Sequence, residues 1–225
     1  MVLYVAILST MLKGSFSRYP FIFSYVIVNF LSTVVQGSFK RSFGATSREY
    51  AMAYWTSDFV GTFLILMIII HLIRRAMDGH KYRNSVYLGL LLGVAATGAI
   101  SVLLMQHHSW ALFLRKSMTE VGRDYYFSAV MLNAILWLTL VRNNHPDKQL
   151  YLLTSGLGLQ LSGAAIAHAL RMTQHMLFLA NCFLITTYLL NLYVWYIALK
   201  RFPAVATAAA GAPAGSGGSL HQPVN

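Results

Sequence analysis

Acidic residues are scarce in this chain: six Asp and Glu stand against 17 Lys and Arg in 225 residues, and charged residues make up 10%. A soluble domain draws about a quarter of its residues from the charged types to cover its surface, so this composition argues against a water-soluble globule. Cysteine occurs once, as Cys182. One thiol forms neither an internal disulfide nor a multi-thiolate metal site. Its place inside an apolar run makes it a small packing residue. No proline lies within a long apolar run, and only Pro20 stands at the start of one. Without broken helices or a visible internal repeat, nothing points to an inverted-repeat transporter. The few acids also supply no DxxD-type motif or paired carboxylates for metal-dependent lipid chemistry.

Apolar length is what the chain has. Hydrophobic residues make up 57% and the mean hydropathy is +0.57. They fall into runs at about 1–13, 20–36, 50–73, 84–106, 124–141, 149–170 and 175–199. At ~1.5 Å per residue most of these are long enough to cross a ~30 Å hydrocarbon layer. The expected fold is all-α, a polytopic transmembrane bundle of about seven helices over residues 1–201. The first run reaches only ~20 Å as a helix. It has no basic leader and no cleavage site of a signal peptide, so six helices plus an interfacial stub is the alternative. Residues 202–225, rich in Ala, Gly, Pro and Ser, have no apolar periodicity and read as a disordered tail. No second folded domain fits in the remaining length.

The basic residues lie between the apolar runs, so anionic lipid headgroups are the expected partners rather than nucleic acid. With the N-terminus outside, the inner side receives Lys13, Arg18, Arg74, Arg75, Lys81, Arg83, Arg142, Lys148, Lys200 and Arg201. The outer side receives Lys40, Arg41, Arg48, Arg115, Lys116, Arg123 and Arg171. The positive-inside rule then places the N-terminus outside and the C-terminus in the cytoplasm. Tyr50, Tyr54 and Trp55 at one end, and Tyr193, Trp195 and Tyr196 at the other, fit aromatic belts.

Small residues mark where helices approach one another in lipid. Gly89 and Gly93 form a GxxxG pair on the fourth helix, while Gly158 and Ser162 belong to a Gly/Ser/Ala run on the sixth. Packing inside the bundle is the plain reading, and a dimer seam on the fourth helix is the other.

Polar groups inside a bilayer are costly unless paired, so they mark function or fixed packing. Asp58 is the acid well inside an apolar run. His168 stands near the outer end of the sixth helix. Gln174, Asn181, Tyr188 and Asn191 share a stripe on the seventh, and Tyr126 and Asn133 share one on the fifth. Facing one another, these would form a partly hydrated outer pocket, with Asp58 as its charged member and His168 as its partner. The competing reading pairs Asp58 with Arg48 or Arg171 and gives it a packing role.

Other chemistries lack their parts. His108 and His168 fall near helix ends without haem spacing, and HH plus His168 or His175 has no zinc-ligand spacing. A retinal Schiff base needs a lysine in the middle of the last helix, and Lys200 lies at its end. Ser162-Gly163 with His175 does not make a nucleophile–base arrangement for proteolysis. No cofactor, metal or catalytic residue is expected.

The segments RYPFIFSY (18–25) and YAMAYWTSDF (50–59) resemble those of a group of uncharacterised bacterial seven-helix inner-membrane proteins. There, an R-x-P-F-F-like start to the second helix is followed by a Y-x-x-Y-W-x-x-acid start to the third. Asp58 falls on that acid, which is often glutamate. The resemblance spans roughly residues 1–200 and implies a bacterial inner-membrane bundle, with no activity attached. The expected function is a non-catalytic membrane protein, ligand-responsive or partner-binding through the outer pocket. A small-solute or proton-coupled transporter is the first alternative, and a structural subunit of a membrane complex the second.

Overall fold

The computed structural model describes residues 2–44, 46–104, 110–142, 147–171 and 176–201, without the side chains of 15, 100–104, 110–124, 168, 169, 171 and 177. All of the regular structure there is helical: α1 Val2–Thr10, α2 Pro20–Phe43, α3 Arg48–Ala76, α4 Arg83–Leu104, α5 Trp110–Arg142, α6 Lys148–Arg171 and α7 Leu177–Arg201. Among the described residues five of them, α2, α3, the Tyr125–Arg142 part of α5, α6 to Ala167 and α7 from Phe178, are long and apolar enough to cross a membrane. The tail expected to be disordered lies outside the described residues.

The helix ends follow from local chemistry. Ser47 caps α3, its hydroxyl accepting from the Tyr50 N–H at 3.1 Å, and Glu49 in the first turn suits the helix dipole. Arg74 and Arg75 do the same at the other end. Pro20 opens α2, where a missing N–H costs nothing. Gly44, at φ 86°, stops α2 in a conformation that side chains resist. Asp147 caps α6, its Oδ1 accepting from the N–H groups of Gln149 (3.0 Å) and Leu150 (3.2 Å).

The first run is a short helix, as its length suggested, but it is part of the bundle. It widens into a π-type turn at Met11–Ser15 and kinks at Gly14, where φ is 138°. Ile7 and Met11 are fully buried, and α1 packs between α2 and α7. Around the bundle the order is α1, α2, α3, α5, α6, α7 and back to α1, with α3 also touching α6 across it. α4 sits outboard, against α3 and α5. The core is densest on α3 from Ile65 to Ile73 and on the faces of α6 and α7 carrying Leu153, Leu157, Leu161, Leu192, Trp195 and Leu199.

Several expected boundaries move. α2 continues to Phe43, past the expected end at 36, because nothing before Gly44 breaks it. α5 begins at Trp110, not 124, taking in residues expected to form a connection. α3 gains a residue or more at each end, and its midpoint falls at Thr62.

The packing residues also differ from expectation. Gly89 and Gly93 are exposed, and a Cβ on either would meet no other helix within 4 Å among the described residues, so there the GxxxG pair packs against nothing. Ser162 is exposed as well. Gly158 does meet a neighbouring helix: a Cβ there would lie 3.0 Å from Asn133 Nδ2 on α5. The tightest approaches are elsewhere, at Gly98, Gly156 and Gly163.

Candidate functional site

A cleft of about 290 Å³ opens among five helices. Its walls are Tyr25 and Asn29 of α2, Ser57, Asp58, Gly61, Thr62 and Ile65 of α3, and Tyr126 of α5. Gln160 and Ala164 of α6, with Leu184, Ile185, Tyr188 and Leu189 of α7, complete it. Asp58 is four residues from the α3 midpoint, or ~6 Å along the axis.

Beneath the cleft lies a buried hydrogen-bond chain. Gln160 Nε2 donates to the Tyr25 hydroxyl at 2.8 Å, and Gln160 Oε1 accepts from Asn191 Nδ2. Tyr188 meets the Tyr4 hydroxyl of α1 at 2.7 Å. The Trp195 indole N–H donates to the Leu153 carbonyl at 3.0 Å, and its ring stands edge-on to Tyr25. Each of these bonds crosses a helix interface and ties the cleft floor to the helices around it. Three buried acceptors, Asn133 Oδ1, Thr154 Oγ1 and Asn191 Oδ1, have no hydrogen-bond partner among the described residues.

The expected site residues separate into groups. Asp58 and Tyr126 both line the cleft. Asn181 is exposed and outside the lining, two turns of α7 nearer its start than Tyr188. Asn133 is buried in the α5–α6 contact facing Gly158 and is not a cleft residue either, because α5 packs on both α3 and α6. The His168 side chain lies outside the described residues; its backbone is one helical turn beyond Ala164. Tyr25 and Gln160 were not expected in the site, although a glutamine inside an apolar run is a signal of the same kind as Asp58.

The opposite end of the bundle carries a second, charged constellation. Arg18, from the α1–α2 connection, lies 3.0 Å from Asp147, and Arg75 of α3 lies 3.5 Å from the same carboxylate. Both guanidinium groups also lie over the Tyr19 ring, at 5.6 and 4.8 Å. Burial pushes the Tyr19 hydroxyl well above the ordinary tyrosine range, an effect that the Arg18 charge partly offsets. That hydroxyl donates to Gln149 Oε1 at 3.2 Å, and Gln149 in turn donates to the Ala198 carbonyl.

No family model, curated protein or solved structure matches this chain. Among the described residues no group of three or more His, Cys, Asp and Glu is placed to hold a metal ion.

Proposed function

We propose that the chain is a non-catalytic multi-pass membrane protein that binds a small amphiphilic ligand with a cationic head in the cleft at Asp58. The observation that carries this reading is the cleft lining itself, in which a carboxylate and the aromatic residues Tyr25, Tyr126 and Tyr188 surround one volume among helices long and apolar enough to span a membrane. Carboxylate and ring faces both favour a cation, while Ile65, Leu184, Ile185 and Leu189 offer an apolar surface to the rest of the ligand. Asp58 already interacts within the protein, so the ligand shares or replaces that partner. The distribution of Lys and Arg favours an N-terminus outside with the connections among anionic headgroups, and the resemblance of residues 18–25 and 50–59 supports a bacterial inner-membrane location.

The experiment is thermal unfolding of the full chain in lipid nanodiscs, titrated with alkyl amines and with neutral alcohols of the same chain length. Amines should stabilise the protein more than the alcohols, and Asp58→Asn should remove that difference. Equal stabilisation by alcohol and amine, or an unchanged difference in Asp58→Asn, sinks the reading.

Two other functions have less support. Transport needs access from both sides, and Leu153, Leu192, Trp195 and Leu199, further along α6 and α7 from the cleft, are fully buried. A structural subunit draws on the outward face of α4, where Gly89 and Gly93 meet no other helix among the described residues. A stoichiometric partner co-purifying from native membranes would favour it.

A further inference from the structure

At the end of the bundle away from Asp58, a cavity of about 250 Å³ is lined by Arg18, His71, Arg74, Arg75, Asp78 and Arg83. That is several times the ~30 Å³ share of one water molecule. The residues come from separate segments: the approach to α2, the last turns of α3, the α3–α4 turn and the start of α4. The packing fixes most of them in place. Arg18 and Arg75 share Asp147 and flank Tyr19, Arg83 pairs with Asp78, and Arg74 stacks 4.8 Å over the Tyr87 ring. His71 Nε2 lies 3.3 Å from the Arg18 carbonyl. A carbonyl only accepts, so Nε2 carries the proton, and in the neutral ring Nδ1 is an acceptor.

The charges do not cancel. Four guanidinium groups meet two carboxylates, Asp78 and Asp147, leaving two positive charges in excess with His71 neutral. Arg74 makes no ion pair among the described residues. A phosphomonoester carries about −1.5 to −2 at neutral pH and presents three acceptor oxygens. Guanidinium forks arriving from different directions suit such a tetrahedral dianion better than a planar carboxylate, which one fork saturates.

The geometry points to a phosphomonoester-binding site in this cavity, with Arg74 as the principal ligand and Arg18, Arg75 and Arg83 completing the cradle. The same chemistry is offered by a soluble phosphomonoester and by a lipid with a terminal phosphate. It is distinct from the Asp58 cleft and stands whether or not that cleft binds a cation.

The test uses the full chain in nanodiscs and has two arms. In one, inorganic phosphate is compared with chloride at equal ionic strength. In the other, phosphatidic acid is compared with phosphatidylglycerol at equal surface charge, the latter being a phosphodiester. Stabilisation by phosphate identifies a soluble source, and stabilisation confined to phosphatidic acid identifies a headgroup; either supports the site. Arg74→Gln should weaken the response about tenfold, the loss expected for one charge-assisted contact. Arg74→Lys should keep part of it, and Arg83→Gln, on another wall, should weaken it similarly. The proposal is overturned if phosphate acts no differently from chloride while both lipids act alike. It is equally overturned if Arg74→Gln and Arg83→Gln respond as the unaltered protein does.

Discussion

Gly163→Ala should be among the most damaging single-methyl additions in the bundle. A Cβ at residue 163 would lie 2.5 Å from both Cβ and Cγ2 of Thr187 on α7, with Thr187 Oγ1 closer still. Real carbon contacts sit near ~3.5–4.0 Å, so the helices must part by about an ångström or the threonine must turn. Thr187 is 4% exposed and its hydroxyl donates to the Phe183 carbonyl at 3.0 Å and the Leu184 carbonyl at 3.1 Å, so turning breaks those bonds. Overpacking of this kind costs about 1–3 kcal/mol. Alanine's better helix propensity returns at most ~1 kcal/mol, leaving a net loss of up to about 2 kcal/mol.

Thermal unfolding in nanodiscs measures it, with Gly93→Ala as the internal reference because no other helix among the described residues comes within 4 Å of that Cβ position. Gly93→Ala should be neutral or slightly stabilising. Thr187→Ala in the Gly163→Ala background should recover part of the loss, since it removes two of the three clashing atoms. If Gly163→Ala is as stable as Gly93→Ala, the α6–α7 seam is not packed as described.

Gln160→Leu should lower stability by about 1–3 kcal/mol, since it removes one partner of the buried Tyr25 hydroxyl and leaves the Asn191 amide donor without Gln160 Oε1; an unchanged melting temperature would remove the floor network. Asp147→Asn should cost under ~1 kcal/mol, because the ion pairs are partly exposed and asparagine still caps α6. Asp147→Ala should cost about 1 kcal/mol more through the lost cap, and equal melting points for the two variants would contradict that division. The raised Tyr19 pKa means that the fold favours the protonated hydroxyl. Its contribution is therefore intact below the ordinary 10.0 and declines as pH rises beyond it. Tyr19→Phe should flatten the alkaline limb of the melting curve, and an identical limb would count against it.

The seven helical runs were legible because a long apolar segment has one way to satisfy its backbone in lipid. Their ends were less so. The continuation of α2 to Phe43 and the early start of α5 at Trp110 involve stretches in which Lys, Arg, Ser and Glu interrupt the apolar residues, yet neither contains a proline and the helix runs through Gly37 and Gly122. Asp58 and Tyr126 were found from polarity alone, because a polar group in an apolar run is informative wherever it points. Asn133 and Asn181 carried the same signal and reach other places, since a helical stripe gives an azimuth and not the neighbour that faces it. Asp147 was overlooked, although an acid directly before an apolar run is an N-cap signature.

The small residues show what composition conceals. GxxxG is the familiar mark of a close helix contact, yet Gly89 and Gly93 face outward while the glycines of α6 face inward. The α6 glycines leave room for polar and aromatic side chains of the flanking helices, not for a bare neighbouring backbone. A Cβ at Gly156 would lie 2.6 Å from Asn191 Oδ1 and 2.9 Å from the Trp195 ring, and one at Gly158 would press on Asn133 Nδ2 at 3.0 Å. Gly163 makes the same room for Thr187. Glycine and buried polar residue are thus two halves of one arrangement: removing the Cβ on α6 lets an amide, hydroxyl or indole of α5 or α7 enter the seam. Asn191 then reaches Gln160, and Trp195 reaches the Leu153 carbonyl. Since interhelical hydrogen bonds in membranes contribute only about 0.6–2 kcal/mol each, the arrangement depends on close packing to hold them in register. That is why a single methyl at Gly163 is expected to matter as much as the loss of a hydrogen-bonding side chain.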